Sequence, residues 1–71
     1  MTNNHVSTEL DDLIYDLLLE DEPLGERRIL QKLKIRGYRY KLGMVRTALI
    51  RLRARNSIQP NARWANRWEV T

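Results

Sequence analysis

The segment Val45-Arg46-Thr47-Ala48-Leu49-Ile50-Arg51-Leu52-Arg53-Ala54-Arg55-Asn56-Ser57-Ile58 decides the fold. Val45, Ala48, Leu49 and Leu52 fall at i, i+3, i+4 and i+7, the spacing of one buried helix stripe. That spacing predicts a helix from about Leu42 to Arg55. Asn56 stands where a left-handed residue should close the helix, a conformation asparagine tolerates better than most residues other than glycine. Ile58 then opens a short extended run to Pro60. Turned at about 100° per residue, the helix sets Gly43, Arg46, Thr47, Ile50, Arg51 and Ala54 opposite its apolar side.

Upstream, the helical period recurs twice. Leu10, Leu13, Ile14, Leu17 and Leu18 form the stripe of an amphipathic first helix. Thr8 and Asp11 have the spacing of a capping box at its start, and Asp21, Glu22 and Pro23 stop it near Glu20. Residues 1–7, which include the only histidine, His5, read as a disordered polar tail ahead of one domain over 8–71. Glu22–Gly25 is a connector with one or two extended residues at Pro23 and Leu24. A second helix, from about Glu26 to Lys34, buries Ile29, Leu30 and Leu33 and solvates Arg27, Arg28, Lys32 and Lys34. Gly37 closes it by taking positive φ. Tyr38–Lys41 is a turn or short extended piece, in which Tyr38 and Tyr40 suit packing and phosphate bonding.

Downstream the period changes to two. Trp68 and Val70 alternate with Arg67 and Glu69, so Arg67–Thr71 pairs with Ser57–Pro60 in a hairpin whose apolar face covers the helices. Asn61–Asn66 is its polar tip. Trp68 is assigned to the core, and Trp64 to folding back onto the domain. The fold class expected is α+β, mostly α: three helices followed by a C-terminal β-hairpin.

This order, together with the segment from Val45 to Ile58, resembles the small winged helix–turn–helix DNA-binding domains. In their recognition helix a core Val, then Ala-Leu, then Leu precede a closing Gly or Asn and an apolar first wing strand. Glu22-Pro23-Leu24-Gly25 is similar to the segment that leads such domains into their second helix. Ile35–Lys41 departs from the pattern, being longer and more basic than the usual turn between the second and third helices. The resemblance covers residues 8–71. It implies a third helix in the major groove and a wing along the backbone or in the minor groove, with Arg63 as the minor-groove candidate.

Charge points the same way. Up to Glu26 there are eight acids and no Lys or Arg; from Arg27 onward there are thirteen bases and one acid, Glu69, for a net charge of +4. A basic segment of this density repels itself, and a polyanionic partner would offset that repulsion. Arg46 and Arg51 could reach guanine O6 and N7, Thr47 a phosphate or base edge, and Ile50 a thymine methyl. Arg39, Lys41, Arg53, Arg55, Arg63 and Arg67 suit phosphates or the wing, positioning the protein without selecting sequence. The acidic first helix should face away from such a partner, with Asp12, Asp16 or Glu20 pairing with Arg27 or Arg28.

The function expected is a sequence-specific double-stranded DNA-binding protein, a small transcriptional regulator acting by occupancy as a homodimer or beside a protein partner. Two alternatives are a winged-helix protein adaptor without DNA binding, using Ile50, Trp64 and the acidic helix, and an RNA binder. Solvent-facing strand aromatics, the usual single-strand platform, are few. There is no cysteine, no Ser–His pair, no phosphate loop and no metal constellation, so no enzyme, cofactor or metal site is expected. Neither a signal peptide nor an apolar run of about 20 residues is seen. No small-molecule ligand or membrane is expected, and the compartment expected is the cytoplasm.

Overall fold

Helices two and three close in the same way, and those closures set the frame. In a computed structural model, which describes residues 8–71, the elements are α1 (Thr8–Glu20), β1 (Leu24–Gly25), α2 (Glu26–Ile35), α3 (Leu42–Ala54), β2 (Ile58–Pro60) and β3 (Arg67–Val70). Gly37 takes φ +95° just beyond α2 and Asn56 takes φ +62° just beyond α3. After α2, the Gly37 and Tyr38 amides donate to the carbonyls of Lys34 and Leu33. After α3, the Asn56 and Ser57 amides donate to Arg53 and Leu52. Both are Schellman closures, in which two carbonyls that the helix leaves open are satisfied by the chain turning back. Asn56 therefore acts as the sequence indicates.

The three apolar stripes meet in one core. Leu10, Ile14, Leu17 and Leu18 of α1 are buried with Ile29 and Leu33 of α2 and Val45, Ala48, Leu49 and Leu52 of α3, and Leu24 and Ile58 close it from the strands. Leu13, Leu30, Tyr38, Tyr40, Trp68 and Val70 pack against it only partly buried. Trp68 thus covers the core edge instead of filling it.

The sheet has three antiparallel strands in the order β1-β3-β2. The hairpin is present, with Ile58 opposite Val70, Gln59 opposite Glu69 and Pro60 opposite Trp68. Its second strand also pairs with the connector, Leu24 opposite Trp68 and Gly25 opposite Arg67. A two-stranded hairpin alone is marginal in water, and the third strand ties the C-terminus to the segment before α2. The Glu22 carboxylate adds to this by accepting from the Val70 amide at 2.7 Å. Glu69, the lone acid of the basic segment, accepts from Gln59 Nε2 at 2.8 Å and Asn61 Nδ2 at 2.7 Å. It braces the hairpin and forms no ion pair among the described residues.

The Thr8 side chain and residues 1–7, hence the capping box and the expected tail with His5, lie outside the described residues. Asp11 does not solvate the first turn of α1: it is fully buried. No helix among the described residues is long and apolar enough to cross a membrane.

Candidate nucleic-acid interface

With Val45, Ala48, Leu49 and Leu52 sunk in the core, α3 exposes Gly43, Arg46, Thr47, Ile50 and Ala54. Ile50 is 63% exposed. Thr47 donates its hydroxyl to the Gly43 carbonyl one turn back at 2.9 Å, so outward it offers only an acceptor. A Cβ at Gly43 would meet nothing within 4 Å among the described residues, so none of them requires glycine there.

Arg46 and Arg51 do not share a face. They are five residues, or about 140° of rotation, apart, and occupy opposite shoulders of the exposed side. Arg46 leans toward α2: its Nε and Nη2 donate to the two carboxylate oxygens of Glu26 at 3.2 and 2.5 Å. Arg51 leans toward α1 and donates through Nε and Nη2 to Asp11 at 3.1 and 2.7 Å. Arg46 keeps 58% of its side chain exposed against a partly exposed acid. Arg51 keeps 31%, against an acid with none exposed. The guanidinium of Arg51, expected to read bases, is thus engaged in neutralising a carboxylate that has no exposed surface.

Arg55 adds a second charge to Asp11 at 3.7 Å, which draws it from the set of phosphate candidates toward the fold. Hydrogen bonding from Arg46 holds the Glu26 carboxyl below its ordinary value and raises that of Arg46. Hydrogen bonding to Asp11 likewise raises the Arg51 guanidinium.

The ion pairs of α1 and its connector also differ from expectation. Glu20 pairs with Arg36 at 2.7 Å and Asp21 with Lys32 at 3.0 Å. Arg28 bonds Gln31 instead, and Asp12 and Asp16 form no ion pair among the described residues. Arg39 and Lys41, exposed before α3, likewise have no acidic partner among the described residues. Tyr38 and Tyr40 stack, with ring centroids 6.0 Å apart. The Tyr40 hydroxyl donates to Glu9 at 3.5 Å, and burial is the first cause that raises its pKa.

The last turn of α3 and the hairpin carry Arg53, Arg63 and Arg67. Arg53 lies over the Trp68 ring at 5.9 Å. At the tip, Asn61 Oδ1 accepts from the amides of Arg63 and Trp64 and forms the turn. Trp64 does not fold back onto the helices. It is 44% exposed and stacks with Arg63 at 5.1 Å and Arg67 at 4.8 Å.

Two residues that matter here escaped the sequence reading. Glu26 is 20 positions from Arg46, and no local pattern links them. Asp11 did leave a trace: it shares a helix side with Ile14 and Leu18 at i+3 and i+7, which marks a buried carboxylate needing a cation. Compared with protein-family models, curated proteins and solved structures, the chain matches none of them.

Proposed function

We propose that this chain is a winged helix–turn–helix domain that binds double-stranded DNA in a sequence-selective manner, with α3 in the major groove and the β2–β3 hairpin as the wing. The observation that carries this reading is the outward side of α3. It presents Arg46, Thr47 and Ile50, and bases without an ion pair among the described residues bracket it: Arg39 and Lys41 before the helix, Arg53 in its last turn, and Arg63 and Arg67 on the hairpin. Arg46 suits guanine, the Thr47 oxygen suits a donor on a base edge, and Ile50 suits a thymine methyl. The five flanking bases suit phosphates.

The test is binding to duplex DNA, first to a random pool and then to sites selected from it, over a range of salt. If the five flanking bases each neutralise a phosphate, log K falls against log salt with a slope of roughly −4 to −5. Absent or salt-independent binding to the random pool at low salt would overturn the reading. In that event the 63% exposure of Ile50 favours a protein adaptor that uses the same face of α3.

A further inference from the structure

We propose that Glu26 is a positioning residue for base selection: it grips Arg46 by one edge of the guanidinium and so aims the other edge at a guanine. The proposal rests on the DNA-binding reading above.

A guanidinium carries five N–H groups in a fixed planar fork. Two of its edges present a parallel pair of N–H groups, the side edge formed by Nε and Nη2 and the end edge formed by Nη1 and Nη2. Glu26 takes the side edge of Arg46 with both carboxylate oxygens. The end edge has no partner among the described residues, and the side chain is largely exposed. Two parallel donors on an end edge match guanine O6 and N7 in the major groove. A free arginine of four rotatable bonds would have to be ordered on arrival; one already held side-on is ordered beforehand.

The acid has a second effect. Glu26 places negative charge on the face that would meet phosphates, which weakens attachment to any duplex. Gripping Arg46 strengthens attachment only where a guanine lies opposite its end edge. Both effects raise the ratio of selective to random binding. The clamp of Arg51 by Asp11 has the same side-on geometry but belongs to the fold, since Asp11 is fully buried and the arginine keeps only 31% of its side chain exposed. An acid at the first residue of α2 also suits the positive helix N-terminus, so the test must separate aim from helix stability.

The experiment uses the full chain and a duplex selected by it from a random pool, with single base-pair variants of that duplex. Arg46→Ala first identifies the base pair that Arg46 reads. Glu26→Gln should lower discrimination at that same pair about tenfold, leave discrimination elsewhere in the site unchanged, and leave or raise affinity for the random pool. Glu26→Asp keeps the charge at the helix N-terminus but is one methylene too short for the same grip. It should lose discrimination at the same pair while its melting temperature stays near that of the parent. If both Glu26 variants keep full discrimination at the pair that Arg46→Ala abolishes, the proposal is overturned and the DNA reading stands. If Arg46→Ala changes discrimination at no pair, the proposal falls together with Arg46 as a base reader, whereas the DNA reading itself falls only if duplex binding is absent or independent of salt.

Discussion

Arg46 and Arg51 are the same residue type on the same helix, and the fold gives them different work. Arg51 lies against a carboxylate with no exposed surface. Removing it would leave that charge buried with, among the described residues, Arg55 as its remaining cation at 3.7 Å, and unpaired buried charges are among the costliest defects. Arg51→Ala should destabilise the domain by about 2–3 kcal/mol and lower Tm by roughly 10 °C or more. Arg46→Ala breaks only an exposed pair, worth about 0–1 kcal/mol, so it should lower Tm far less and act chiefly on DNA selectivity. Thermal melting of the two variants checks this, and equal losses would contradict the division of roles. The sequence marked both arginines as lying off the apolar stripe. It did not tell the two shoulders of the helix apart, because that depends on which neighbour crosses each side, and the acids that decide it lie 20 and 40 positions away.

At the scale of elements, helix ends and apolar stripes were legible because both depend on neighbours in sequence. Asn56 and Gly37 close their helices through hydrogen bonds spanning only a few residues, so the signal is local. The third strand was only half visible: Leu24 and Gly25 are two residues long and become a strand by pairing with β3, a contact more than 40 positions distant. Trp64 was placed wrongly for a related reason, since the arginines that cover it assemble only when the tip turns at Asn61. Gly43 offers a direct test at this scale. It lies in the first turn of α3 with open space where a Cβ would stand, so Gly43→Ala should stabilise the fold by about 0.5–1 kcal/mol through helix propensity. If DNA approaches the backbone there, the same substitution should weaken duplex binding. Higher Tm with unchanged affinity would move the contact away from the start of α3.

Across the whole molecule, the sequence divides into an acidic first part and a basic remainder, and folding partly undoes that division. Asp11, Glu20, Asp21 and Glu26 all pair with bases from beyond position 26, binding α1, its connector and α2 to α2 and α3. These contacts have a pH signature. The Glu26 carboxyl is held below its ordinary value of 4.5, first by its hydrogen bond to Arg46. A carboxyl lowered in the folded state stabilises it fully above the unfolded value and ceases to do so as pH falls through the folded one. Chemical denaturation of the parent and of Glu26→Gln should therefore differ at pH 6 and converge as pH falls through the lowered folded value; a difference that persists in strong acid would exclude the ion pair as its source. The two tryptophans provide an optical view of the same molecule. Trp68 is half-buried beside the core, whereas Trp64 stands exposed between two guanidiniums. Anions concentrate around such an indole and cations avoid it. Iodide should therefore quench the emission of Trp64 far more than caesium does, and Trp68→Phe should isolate that component. The tip thus acts as a built-in fluorescent gauge of local electric potential, one that would lose its preference for iodide when a polyanion settles against the hairpin.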